Sequence, residues 1–151
     1  MLKLSRKTLF AIEAVLDIAY HAGADPVQSR EISSRQGIPR RYLEQALQNL
    51  VRGGVLVGVR GPRGGYRLAR ERRRITVGEV MRVVRSTDNE DDPLANQTGS
   101  PLGLKVVRPL WMELQSGLLA QLDEITIDDL CERADIAGII REGRSSLDFS
   151  I

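Results

Sequence analysis

The chain has 151 residues, 42% hydrophobic and 28% charged, the composition of one folded domain or of a small domain with an appendage. One cysteine, Cys131, excludes an internal disulfide and a cysteine-built zinc site, and one histidine, His21, removes most histidine-based catalysis. The net charge of +2 hides a segregation: residues 1–85 hold seventeen Lys/Arg against seven Asp/Glu, a balance of +10, and residues 86–151 hold five against thirteen, a balance of −8.

That split points to a polyanion as partner of the front half. The few aromatic residues, 4% of the chain, argue against a stacked single-strand nucleic-acid platform. No apolar run reaches the ~18–20 residues of a membrane helix. Glu13 and Asp17 stand where a signal peptide would keep its apolar core, so the expected address is the cytoplasm.

In chain order, residues 5–22 read as a helix capped by Ser5, with Leu9, Ile12, Leu16, Ala19 and Tyr20 on its apolar face. Gly23 and Asp25-Pro26 end it. A short helix capped by Ser29 and anchored by Ile32 stops at Gly37. Pro39 opens a third helix, where its missing N–H costs nothing, and this helix runs to about Arg52. Val55–Val59 and Tyr66–Leu68 flank a Gly/Pro loop and predict a β-hairpin. Thr76 and Glu79 have capping-box spacing, in which the Glu side chain returns to the cap's own N–H. Residues 87–104 read as an acidic, Ser/Thr/Gly/Pro-rich linker. A helix over about Pro109–Asp123 follows, with an apolar stripe of Val107, Trp111, Leu114, Leu118 and Leu122. Thr126 caps a last short helix, and the tail after Gly138 is expected to fray.

Helix, short helix, sharp turn, helix, hairpin is the order of a winged helix-turn-helix. Leu43, Leu47 and Leu50 recur on one face of the third helix. Arg41, Gln45, Gln48 and Arg52 cluster within about 60° on the opposite side, with Glu44 beside them. These are side chains that read base edges. Arg offers paired donors to guanine, Gln pairs with adenine, and Glu accepts from cytosine. The loop Arg60-Gly61-Pro62-Arg63-Gly64-Gly65 carries arginines on a tight turn of a width that enters a minor groove. It lacks the Lys-Ser/Thr end of a nucleotide-binding loop. No nucleophile–base pair or metal-ligand spacing suggests an enzyme.

Ser33-Ser34-Arg35-Gln36-Gly37-Ile38 with Tyr42-Leu43-Glu44-Gln45 resembles the helix-turn-helix of the Rrf-two family of winged helix-turn-helix regulators. Val59-Arg60-Gly61-Pro62-x-Gly64-Gly65-Tyr66 resembles its wing. Ile75–Val80 resembles the start of its next helix. Leu110-Trp111 and Ile125–Leu130 resemble its dimerisation region. The resemblance implies a mainly α fold with a small hairpin wing and a long dimerisation helix. The implied function is that of a homodimeric regulator, a repressor, acting on an inverted repeat in double-stranded DNA under an unidentified effector. The residues expected at DNA are Arg40, Arg41, Glu44, Gln45 and Gln48 of the third helix and Arg60, Gly61, Arg63 and Gly64 of the wing. Val107, Trp111, Leu114, Leu118 and Leu122 are expected at the dimer interface. The divisions expected are residues 1–86 for DNA binding, 87–104 for the loop, 105–138 for dimerisation and 139–151 for the tail.

One departure matters. Cluster-binding relatives carry three cysteines in the loop before the dimerisation helix; here residues 87–108 hold neither Cys nor His, only the acids Asp88, Glu90, Asp91 and Asp92. Oxygen ligands suit hard cations, not an iron–sulfur cluster, so no cofactor and no metal site is expected. Cys131 reads as a buried structural thiol, and His21 as a complement to the dipole of the first helix. Two readings stand beside this one: a redox or iron–sulfur regulator with atypical ligands, and a winged-helix adaptor that binds protein.

Overall fold

A computed structural model describes residues 4–87 and 97–142. Six α-helices and one hairpin are present in the order α1 (Arg6–Tyr20), α2 (Ser29–Gln36), α3 (Arg40–Arg52), β1 (Leu56–Val59), β2 (Gly65–Leu68), α4 (Val77–Ser86), α5 (Arg108–Glu124) and α6 (Ile127–Ile136). This is the winged helix-turn-helix followed by a long helix that the sequence predicts.

Helix α1 starts where Ser5 Oγ accepts the N–H of Thr8 at 3.2 Å. It is the central post of the fold, packed by α2, α3, α4, α6 and the hairpin. Ala19 and Tyr20 of the expected stripe are buried, but the rest of the buried face differs. Ala11, Ala14, Val15 and Ile18 are buried, whereas Leu9 is 40% exposed and Ile12 and Leu16 are half-buried. The reason is steric. A post touched by so many elements turns its small side inward, because alanines let neighbouring backbones approach closely. A reading weighted by side-chain size picks the flank instead.

The cap of α2 also differs. Gln28 is the N-cap and Ser29 the first helical residue; Glu31 Oε2 accepts the Gln28 N–H at 3.0 Å. Gly37 closes α2 in the left-handed conformation, φ 66°, which a side chain would resist. The turn into α3 is pinned by Ser33 Oγ donating to Ile38 O at 2.7 Å. The strands pair antiparallel with Leu56 opposite Leu68 and Val59 opposite Gly65. A further rung holds the hairpin to the body: Val27 N–H donates to Tyr66 O (3.0 Å) and Tyr66 N–H to Val27 O (2.8 Å). Any side chain at Gly65 would collide with the Val27 carbonyl.

The Thr76 box is half-formed. Thr76 Oγ1 accepts the Glu79 N–H at 3.1 Å, but the Glu79 carboxylate bonds Arg70. The Thr126/Asp129 box on α6 is complete, at 3.0 and 2.9 Å. The segments leading into α4 and α6 run antiparallel, with Val77 N–H on Ile125 O and Ile127 N–H on Ile75 O.

Helix α5, Arg108–Glu124, matches its expected span, and helical winding also precedes it, back to Pro101. Ser100 Oγ accepts the Gly103 N–H at 3.1 Å, Pro101 is already helical, and Gly103–Val107 winds as a π-helix into α5. Pro109 therefore lies inside a continuous helical run rather than at its opening. The wider π turn accommodates a proline, which has no N–H to give and crowds the carbonyl four residues back. The acids Asp88, Glu90, Asp91 and Asp92 fall outside the described residues.

Of the tail expected to fray, residues 143–151 lie outside the described residues, and residues 139–142 are tied to the body. The Tyr20 hydroxyl donates to Ile139 O and to Asp135 Oδ1, and Arg141 pairs with Asp135 at 2.7 Å while its guanidinium covers the Tyr20 ring.

Candidate nucleic-acid interface

The burial of α3 divides cleanly. Leu43, Leu47 and Leu50 are all within 1% of full burial, while Arg40, Arg41, Glu44, Gln45, Gln48 and Arg52 are exposed. Three leucines at helical spacing bury some 1.5–3 kcal/mol of apolar transfer free energy apiece, which fixes the rotation of the helix and so the direction of its polar face. Arg40 Nη2 lies 3.3 Å from Glu44 Oε1, one turn along, with both groups more than half exposed. Such a pair contributes a few tenths of a kcal/mol and separates at little cost. The Arg41 guanidinium sits 5.6 Å from the Tyr42 ring centroid, and that ring contacts Phe10 of α1 at 6.5 Å.

The wing presents Arg60, Gly61 and Arg63 to solvent, and Gly64 is buried within its turn. A side chain at Gly64 would collide with the carbonyls of Val59 and Gly61, so Gly64 serves to close the loop tightly. Gly61, at φ 112° with open space around it, supplies the turn. Arg60 and Arg63 have no ion-pair partner among the described residues. Arginines of the connector behave differently: Arg70 bonds Glu79 and Arg72 bonds Asp128 at 2.7 Å. Arg41 and Arg52 on α3 and Arg60 and Arg63 on the wing are thus exposed cations without an ion pair among the described residues. Arg30 of α2, likewise without an ion pair among the described residues, lines a cleft together with Arg40 and the hairpin residues Pro62 and Gly64. It was missed in the sequence because it lies about thirty residues from the wing and in no motif.

The second candidate surface is on α5. None of its residues is buried. Val107 and Leu110 are exposed, Trp111 and Leu114 are each 52% exposed, and Leu118 is 37% exposed. Leu122 of the expected stripe is only half-buried and does not join that exposed set. The opposite side of α5 packs on α4, tied by the Arg82–Asp123 ion pair, whose Nη2–Oδ2 contact is 2.6 Å. The hydrogen bonds from Arg82 hold the Asp123 carboxyl below its usual range.

A helix-turn-helix scaffold with an arginine-bearing hairpin wing and an exposed polar face on its third helix defines a winged-helix DNA-binding transcription regulator. The Rrf2 (Rrf-two) family model, described as an iron-dependent transcriptional regulator, matches residues 4–133, and the chain belongs to this family. The regulator IscR of Vibrio atlanticus is 36% identical over 152 residues, covering 99% of this chain and 86% of the relative. IscR of Pectobacterium atrosepticum is 31% identical over 138 residues, covering 91% and 84%. Among solved structures, T. potens IscR superposes with a TM-score of 0.73 at 34% identity, covering 93% of each chain. CymR, the global cysteine regulator of B. subtilis, gives 0.70 at 27% identity, covering 88% of this chain and 98% of that one. These relatives are regulators, not enzymes.

The iron in the family's description invites a test of the donor set. Cys131, the only thiol, is 1% exposed in the core, where burial pushes its pKa up against the opposing pull of Arg72. His21, the only imidazole, is buried at the end of α1, and its Nδ1 accepts the Glu142 N–H at 2.9 Å. Burial, and then the Arg35 guanidinium, push its pKa below 6.5. His21 is therefore a neutral acceptor for the tail rather than a charged complement to the helix dipole. No group of three or more His, Cys, Asp or Glu able to hold a metal occurs among the described residues. A protonated core thiol and an occupied imidazole do not fit an iron–sulfur cluster, which takes about four thiolate or imidazole ligands.

Proposed function

We propose that the chain is a homodimeric regulator that binds an inverted-repeat operator in its cluster-free form and represses where that operator overlaps a promoter. The observation that carries the DNA reading is the exposed Arg41/Glu44/Gln45/Gln48 face of α3, set beside a wing whose Arg60 and Arg63 have no ion-pair partner among the described residues. The α3 face suits the major groove and Arg60 the minor groove, where narrow regions concentrate negative potential. Dimerisation is supported by α5. Trp111, Leu114 and Leu118 form a contiguous apolar stripe that a lone helix would not leave in water. Two linked subunits then read two half-sites related by a twofold axis. The protein-adaptor reading has no counterpart for the unpaired arginines. No helix among the described residues is long and apolar enough to cross a membrane.

Genomic footprinting in the native host tests this reading. The expected result is a small set of sites sharing an inverted repeat at promoters, with increased transcription of the adjoining genes when the protein is deleted. Footprints without a shared repeat, or none at all, would contradict it.

A further inference from the structure

Between the recognition helix and the wing lies a polar cleft of about 320 Å³. Its walls are Gln28, Ser29 and Arg30 at the start of α2, Arg40 at the first residue of α3, and Pro62 and Gly65 of the hairpin. Two arginines from two different helices therefore line one space. Arg30 is exposed and has no ion-pair partner among the described residues. Its neighbour Glu31 is committed elsewhere, accepting the Gln28 N–H. Arg40 shares one N–H with Glu44 and keeps the rest of its fork. The cleft is also held open at a fixed width. Gln28 Nε2 donates to Pro62 O at 3.5 Å, and the Val27–Tyr66 rung locks the hairpin against the α1–α2 turn.

We infer that this cleft grips one sugar–phosphate strand of duplex DNA, with Arg30 as its principal donor, Arg40 beside it, and the Ser29 hydroxyl as a neutral donor. The inference rests on the DNA-binding reading above and adds a site to it. A sugar–phosphate strand is what separates a major groove from the adjacent minor groove. An α3 in the one and a wing in the other must straddle that strand, and the cleft is where the two elements meet. A phosphate accepts two parallel N–H groups from an arginine fork, a geometry that fixes orientation as well as charge. Such a contact sets the register of the protein on the duplex and carries no sequence information of its own.

The test is Arg30→Gln, which removes the charge at an exposed position while keeping a long polar side chain; an unchanged circular dichroism spectrum establishes folding. Affinities of wild type and variant are measured across a salt series for the footprinted duplex and for a random duplex. The expected result is a loss of roughly tenfold on both duplexes alike, with the log affinity–log salt slope shallower by roughly 2, about 0.9 for each of two protomers. A scan of single neutral methylphosphonates should then find one position per half-site where wild type loses affinity and Arg30→Gln loses no more. An unchanged slope, a loss confined to the footprinted duplex, or additive losses at every methylphosphonate position would overturn the phosphate assignment while leaving DNA binding intact. No duplex binding by the wild-type protein would overturn the assignment together with the reading it rests on.

Discussion

Helices α3 and α5 are both amphipathic in sequence, yet they behave oppositely. On α3 every leucine of the stripe is buried within the chain and the polar face is free. On α5 no residue is buried, and its exposed side carries Leu110, Trp111, Leu114 and Leu118. The leucine face of the first helix is covered within its own domain; the Trp111/Leu114/Leu118 side of the second is left uncovered among the described residues. The contrast separates a surface poised for a charged ligand from one poised for an apolar partner, and each can be broken without the other.

The largest effect is expected from Leu118→Asp. A carboxylate in the centre of a dimer stripe should yield monomers in sedimentation and reduce operator affinity by on the order of 10²–10⁴, because the half-sites are then bound without linkage. Next is Leu47→Ala on α3, which leaves a cavity under the recognition helix and should cost about 2–5 kcal/mol in urea unfolding. The matching truncation on α5, Leu114→Ala, should leave monomer stability nearly unchanged and weaken association instead. Arg60→Ala should cost about 1–3 kcal/mol of binding free energy. Gln45→Ala should relax sequence preference more than it weakens random-duplex binding.

Metal removal should have no effect. Protein purified anaerobically is expected to be colourless and to bind its operator equally with chelator present; stoichiometric iron and acid-labile sulfide, lost in Cys131→Ala, would reverse that. The smallest effect is a pH dependence. The folded-state pKa of His21 is depressed, so the stability it contributes is present above its unfolded value near 6.5 and is lost as pH falls through the folded value. Wild type should therefore lose stability relative to His21→Gln between pH 7 and pH 5. Equal pH profiles for the two proteins would remove the Glu142 N–H to His21 Nδ1 contact from the account.

The order of elements, the leucine face of α3 and the wing were legible because each rests on local chemistry: 3.6-residue spacing, an αL glycine at position 37, and a Gly/Pro loop between β-branched runs. The errors occur where tertiary packing overrides local signals. Leu9 outranks Ala11 by hydrophobicity, but the side of α1 that faces its neighbours carries Ala11, Ala14, Val15 and Ile18. Pro109 correctly marks the start of α5, but the π turn that precedes it from Ser100-Pro101 was not legible. The tail was expected to fray because nothing in residues 139–142 announces Tyr20, His21 and Arg35 as its partners, more than a hundred residues upstream. Arg30 is illegible as a site residue for the same reason: its neighbours in the cleft, Pro62 and Gly64, are more than thirty residues away.

The central claim, two linked subunits on two half-sites, is tested most directly by sedimentation of the protein with a duplex carrying one footprinted inverted repeat and with a duplex carrying a single half-site. The account predicts two protomers on the full repeat and affinity for the half-site at least about a hundredfold weaker. One protomer per duplex, with equal affinity for the two, would contradict it.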